Sequence, residues 1–162
     1  NYGRLTLLFK SPNFPPSVSL KHDRSLTINP ASSGLIQSRD IKMKLLIADD
    51  SKAMRLVIGH MLRQAGFRGH EIVEAADGAE ALDLARNQRP DVILSDWNMP
   101  NKNGIEFLQE LRADGDKTPF GFVTTEVSQE MRELAESSGA AFLIGKPFTP
   151  EDFQRALETY LG

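Results

Sequence analysis

A handful of residues in this chain could act together chemically, and each stands at the end of a short apolar run. Asp49 and Asp50 follow Leu45-Leu46-Ile47-Ala48, and Asp96 follows Val92-Ile93-Leu94-Ser95. Thr124 closes Phe120-Gly121-Phe122-Val123, and Lys146 comes shortly after Ala141-Phe142-Leu143-Ile144. Runs of this length without polar alternation read as strands buried on both faces. If the strands lie parallel in an open sheet, their C-terminal ends converge on one edge, which is where such sheets bind ligands. Three carboxylates gathered there repel one another, each pair about 4 Å apart costing on the order of 4 kcal/mol at an effective dielectric near 20. A cluster of that kind needs a cation. Oxygen donors without His or Cys suit a hard ion, Mg²⁺ before Ca²⁺. A magnesium ion, the Lys146 ammonium and the Thr124 hydroxyl around one carboxylate suit phosphoryl transfer, with Asp96 attacking as nucleophile.

Taken singly, each residue has a plainer reading. Asp96 could be a strand-terminating acid that caps the Pro- and Asn-rich turn running to Gly104. Asp49 could cap the helix that begins near Ser51, Thr124 could be a strand residue, and Lys146 a surface lysine. Trp97 reads as a partly exposed loop aromatic. His22, His60 and His70 share no metal-ligand spacing. The chain has no Gly-rich loop of the phosphate-cradling type, so a phosphoryl donor must come from outside.

The elements that would position these residues are regular from Lys44 onward. The first strand is followed by a helix with Met54, Val57, Ile58, Met61, Leu62 and Ala65 on one stripe and Gly66 as its stop. A second, weaker strand is Glu71-Ile72-Val73-Glu74-Ala75. Asp77, with Glu80 three positions on, starts the next helix, and Asn103 with Glu106 starts the one after Asp96. The fourth helix, roughly 128–138, is thinly apolar, offering only Met131, Leu134 and Ala135. Thr149-Pro150-Glu151-Asp152 opens the last helix, with Phe153, Ala156, Leu157 and Tyr160 along its stripe. Five strands alternating with five helices predict an α/β fold, a doubly wound five-stranded parallel sheet with helices on both faces.

Composition narrows the function classes. The 162 residues are 40% hydrophobic and 25% charged, as in ordinary globular proteins. The absence of cysteine excludes disulfides and thiolate metal sites. No apolar run approaches a membrane span. The net charge of −3 conceals an asymmetry, since residues 1–42 carry +4 and residues 43–162 carry −7. An acidic folded part disfavours direct nucleic-acid binding. Residues 1–42, with Pro12, Pro15, Pro16 and Pro30 among Ser, Asn and Thr, are expected to be a disordered extension, and 43–162 a single domain. The one apolar patch upstream, Leu5-Thr6-Leu7-Leu8-Phe9, is too short for a signal-peptide core. Met43 stands just before the first convincing strand, so residues 1–42 could reflect a mis-assigned start, with Met43 the native one.

Asp49-Asp50, Ser95-Asp96-Trp97-Asn98-Met99-Pro100, Gly104, Val123-Thr124-Thr125-Glu126 and Lys146-Pro147-Phe148 resemble the receiver domain of two-component response regulators. The resemblance covers about residues 44–161 and is closest to single-domain chemotaxis-type regulators. It implies a flavodoxin-like strand order 2-1-3-4-5, an order for which a chemotaxis member of this family is a standard example. It implies that Asp96 is the phosphoacceptor and that Asp50, Asp96 and the Asn98 carbonyl bind Mg²⁺, with Asp49 acting largely through water. Lys146 would pair with the phosphoryl group and precede a cis bond to Pro147, and Thr124 would move to the phosphoryl oxygens. The aromatic switch residue usual in the family falls on Leu143, which has neither ring nor hydroxyl to report the change.

The function so implied is a single-domain response regulator. A histidine kinase would phosphorylate Asp96, and the face formed by the fourth helix, fifth strand and last helix would bind an output protein in a chemotaxis-like or related pathway. The alternative is a phosphorelay intermediate or phosphate sink exchanging phosphate with a histidine phosphotransfer protein. Self-phosphorylation and autodephosphorylation are expected, without a separate substrate, in a cytoplasmic protein with no nucleic-acid or membrane partner. With no further domain expected after Gly162, output would be protein–protein contact. A dehalogenase-type phosphatase fits poorly, because the acid it needs two residues after the nucleophile is here Asn98. A constitutive adaptor with a vestigial site leaves the mutual repulsion of the acids without purpose.

Overall fold

A computed structural model describes residues 6–9 and 41–162. In chain order the elements are β1 (Thr6–Leu8), β2 (Lys44–Ala48), α1 (Lys52–Gln64), β3 (Glu71–Ala75), α2 (Gly78–Gln88), β4 (Val92–Ser95), α3 (Gly104–Ala113), β5 (Phe120–Thr124), α4 (Gln129–Ser137), β6 (Phe142–Gly145) and α5 (Pro150–Leu161). The expected strands are β2 to β6, all parallel, and in the sheet they follow the order β3-β2-β4-β5-β6. That is the 2-1-3-4-5 arrangement of a flavodoxin-like α/β sheet. β1 was not expected from the sequence. It adds to the outer edge of β6 as an antiparallel strand, pairing Thr6 with Ile144, Leu7 with Leu143 and Leu8 with Phe142. β1 and the domain from Lys42 onward form one compact unit. The reading of 1–42 as disordered therefore does not describe Thr6–Leu8, and residues 1–5 and 10–40, on which it also falls, lie outside the described residues.

Burial on both faces follows from the pleat, because successive strand residues point to opposite sides. Leu46, Ile93, Phe120 and Phe122 join Ala81, Leu82, Phe107, Leu108 and Ala135 in a core under α2, α3 and α4. Leu45, Ile47, Val92, Leu94 and Ile144 join Ile58, Leu62, Phe153 and Leu157 in a second core under α1 and α5. α4 buries only Ala135, in keeping with its thin apolar stripe.

Helix starts obey the capping signals with one adjustment. Asn103 and Glu106 form the reciprocal box at α3. At α2, Asp77 accepts from the N–H groups of Ala79 and Glu80, but Glu80 reaches back to the Ala76 N–H, one residue earlier than a capping box requires. At α5, Asp152 accepts from the Thr149 N–H and hydroxyl on one oxygen and from the Thr6 hydroxyl on the other. Burial would raise the Asp152 carboxyl, but these donors and Arg155 outweigh it and hold the group below the usual carboxylate range. Arg112, at the end of α3, donates to the carbonyls of Asp116, Thr118 and Gly139, tying the loop before β5 to the end of α4.

Gly104 is fixed by its neighbours rather than by an unusual backbone. Its N–H donates to the Trp97 carbonyl at 2.8 Å. A Cβ there would stand 2.2 Å from the Asp96 carbonyl oxygen and 3.0 Å from the Phe122 ring. Gly104→Ala is therefore expected to destabilise the domain by about 2–3 kcal/mol, the scale of overpacking against an unyielding neighbour. A urea titration should show a lower midpoint at unchanged slope; an unchanged midpoint would contradict this close approach.

Candidate functional site

The sheet ladder does not stop at the strand ends but runs on through the residues of interest. The Asp96 N–H donates to the Ala48 carbonyl at 2.8 Å, the Asp49 N–H to Ala75 at 3.1 Å and the Lys146 N–H to Thr124 at 2.8 Å. These bonds fix the backbone from which each side chain springs, so convergence of the acids and the lysine is a property of the sheet. Lys146 and Pro147 are joined by a cis peptide bond, as the resemblance implies.

Lys146 sits between two of the acids. Its Nζ donates to Asp49 Oδ2 at 3.0 Å and lies 3.7 Å from Asp96 Oδ1. Asp49 is 1% exposed, and its Oδ1 accepts from the Ser51 N–H at 2.9 Å. Asp96 Oδ1 also accepts from the Trp97 N–H at 2.8 Å. Asp50 is exposed, and one oxygen from each of Asp49, Asp50 and Asp96 lies within 4.8 Å of the others. Burial pushes the Asp96 carboxyl above its ordinary value; Lys146 opposes this, Asp49 adds to it, the Trp97 N–H opposes it, and Asp50 adds again.

The remaining expected residues lie close by in the fold. Thr124 is fully buried at the end of β5, the strand beside β4, and its hydroxyl oxygen accepts from the Glu126 N–H at 3.4 Å. Asn98 is exposed in the loop after Asp96. Leu143, in the position of the usual aromatic, is fully buried on β6 opposite Leu7. Trp97 departs from expectation. It is 8% exposed and packs on Phe122 with ring centroids 4.6 Å apart, because the loop folds back over the core under α3.

Two contributors had no signal in the sequence. Arg55 on α1 donates to the Asp49 carbonyl at 2.7 Å and pairs with Glu74 of β3, bracing the loop that carries the acids. The Ser95 hydroxyl donates to the Asp96 carbonyl at 2.8 Å. Beside Lys146 lies an apolar groove lined by Met54, Val57, Met61, Thr125, Pro147 and Phe148.

Among the described residues, three carboxylates facing the one ammonium of Lys146 fit a hard divalent cation. The donors are all oxygen, the cluster is open to solvent on the Asp50 side, and one lysine leaves negative charge in excess. Since Asp96 titrates higher in the folded protein than in the unfolded chain, the folded state gains on the unfolded as pH falls through that folded value, and is weakened above it. Without metal at pH 7, Asp96→Asn is accordingly expected to stabilise the domain, a gain that fades as pH falls through the raised folded value of Asp96 and is gone below the ordinary carboxylate range. Mg²⁺ should raise the Tm of the parent protein and do so much less for Asp50→Asn or Asp96→Asn. Calorimetry with and without the ion reads both effects, and equal Mg²⁺ shifts in all three proteins would exclude this cluster as the site.

Comparison with known proteins gives consistent results. The family model described as the response regulator receiver domain matches residues 45–158. A chemotaxis protein CheY homolog of Campylobacter jejuni is 39% identical over 123 residues, spanning 74% of this chain and 93% of the relative. Chemotaxis protein CheY1 of Helicobacter pylori is 37% identical over 123 residues, spanning 74% of this chain and 98% of the relative. Among solved structures, that of chemotaxis protein CheY4 of Vibrio cholerae superimposes with a TM-score of 0.66 at 39% identity, covering 75% of this chain and all of that one.

Proposed function

The chain belongs to the response regulator receiver domain family, and on that premise we propose that Asp96 accepts a phosphoryl group from the phosphohistidine of a histidine kinase, switching the domain's binding to an output protein. The observation that carries this reading is the Lys146 ammonium, 3.0 Å from Asp49 and 3.7 Å from Asp96, within a cluster of acids otherwise in mutual repulsion.

Trp97 and Lys146 both hold Asp96 Oδ1, which orients the carboxylate and leaves its second oxygen to attack. As the new O–P bond forms, the N–P bond to the donor imidazole breaks and its electron pair returns to the ring nitrogen. Lys146, near two carboxylates, is placed to shift toward the arriving phosphoryl oxygens. Asp50, Asp96 and the Asn98 carbonyl, with Asp49 beside them, would hold Mg²⁺, which when bound supplies positive charge against those oxygens. Thr124 would follow with its hydroxyl, drawing the loop before α4 with it. α4, which buries Ala135 and rests Met131 against the core, has the thinnest apolar stripe of the helices and is the one most cheaply displaced.

The relatives named as chemotaxis proteins support a chemotaxis-like pathway, with output on the face made by α4, β6 and α5. A cytoplasmic setting follows from the same reading, and no described helix is long and apolar enough to cross a membrane. The protein would have no substrate beyond its own phosphorylation and dephosphorylation. The apolar groove on α1 beside Lys146 favours a second reading, in which a helical histidine phosphotransfer protein docks there and exchanges phosphate.

Incubation with a small phosphodonor and Mg²⁺ should add the mass of one phosphoryl group to the intact protein. Asp96→Asn should abolish the addition, and Lys146→Ala should slow it by about a hundredfold, the scale of losing one transition-state contact. Labelling that survives Asp96→Asn refutes the reading.

A further inference from the structure

We infer that the outer edge of β6 is a docking strip for an extended, basic segment with alternating apolar residues, and that Thr6–Phe9 of this chain occupies it as an internal competitor of the output partner. The strip reads its occupant in three ways. Backbone pairing runs along Phe142–Ile144 and continues to the Phe9 N–H, which donates to the Ala141 carbonyl at 2.8 Å. Leu7 and Phe9, alternate residues on one side of the pleat, pack on the core that lies under α2, α3 and α4. Thr6, on the other side, donates its hydroxyl to Asp152 Oδ1 at the start of α5 at 3.0 Å. Hydrogen bonds supply adhesion and the alternate side chains supply selectivity, as in strand addition generally.

Charge agrees with this occupant. α5, which packs against β1 and β6, carries Glu151, Asp152 and Glu158 against Arg155, and α4, which leads into β6, carries Glu130, Glu133 and Glu136 against Arg132, so each has a net charge of −2. The strand is bracketed in sequence by Arg4 and Lys10, within a stretch of net charge +4. Complementary fields of this kind favour the pairing and screen out acidic competitors.

The strand is also removable. It is three residues long, is paired along a single edge and lies outside the residues matched by the family model. Leu8 is 60% exposed. So short an edge strand opens at far lower cost than the domain unfolds. While β1 is in place, Leu143 is covered, and any protein that seats on the β6 edge must first displace Leu7. Phosphorylation that moves β6 or α4 would then alter strand release, and strand release would alter the phosphorylated state by the same factor.

The regulatory half of this inference rests on the output face proposed above; the docking strip does not, and its test needs no phosphodonor. A fluorescent peptide with the sequence of residues 4–10 is titrated against the full chain and against full-chain Leu7→Asp. The variant, its own strand expelled, should bind about tenfold more tightly, as expected if the strip is free about a tenth of the time in the parent. In parallel, the Phe9 amide should exchange with solvent at least tenfold faster in the variant. If Leu7→Asp does not fold, Thr6→Ala should move both readouts a few-fold in the same direction. Equal peptide binding to parent and variant, or an unprotected Phe9 amide in the parent, overturns the inference. So does a strand-exchanged dimer seen by light scattering, or an intact mass from the native host that lacks residues 6–9. Loss of Asp96 labelling with these results intact would overturn the functional reading alone.

Discussion

Lys146 and the acids around it set the terms on which this end of the molecule is built. Three carboxylates and one ammonium cannot reach their lowest energy together, since every acid beyond the first partner of the lysine adds repulsion. The arrangement persists because the backbone beneath it is held by ladder hydrogen bonds that extend past the strand ends, and because two cores lie below. Arg55 and Ser51 hold the Asp49 loop, while Ser95, Trp97 and Gly104 hold the Asp96 loop. A site kept in electrostatic debt by a rigid frame responds strongly to any added charge, positive or negative. That responsiveness is the property a phosphoryl-controlled switch requires.

The frame was largely visible in the residue pattern, because each central strand is a short, uninterrupted apolar run and each helix carries its own start signal. Val92–Ser95 could hardly be anything but a doubly buried strand, and Asn103 with Glu106 announces α3. The convergence of Asp49, Asp50, Asp96 and Lys146 was legible for a related reason: parallel topology turns a one-dimensional observation, an acid or lysine at the end of an apolar run, into a shared location. The parts played by Arg55 and Ser95 were not visible, since the bonds by which they brace the acids run to backbone carbonyls and a carbonyl leaves no mark in a sequence. Trp97 was misjudged because loop residues are generally exposed, whereas this loop folds back so that its aromatic ring meets Phe122.

β1 shows a different limit. Leu5-Thr6-Leu7-Leu8-Phe9 was noticed as an apolar patch, yet nothing local distinguishes a strand that joins a distant edge from one with no partner. Thr6 contacts Asp152 across 146 positions of sequence, a relation that neither periodicity nor composition encodes. Edge strands depend on what they meet, and propensity alone does not report it.

The three carbonyls gripped by Arg112 give α4 an asymmetric suspension. Its C-terminal end at Gly139 is pinned, through one guanidinium, to the loop between α3 and β5, whereas its N-terminal end follows the loop that begins at Thr124. A pull on Thr124 would therefore swing the helix like a door hung at Gly139, with the widest sweep near Ser128 and almost none at its far end. Movement would be greatest on the side nearest the acids, and a partner gripping the distal end of α4 would feel little of it.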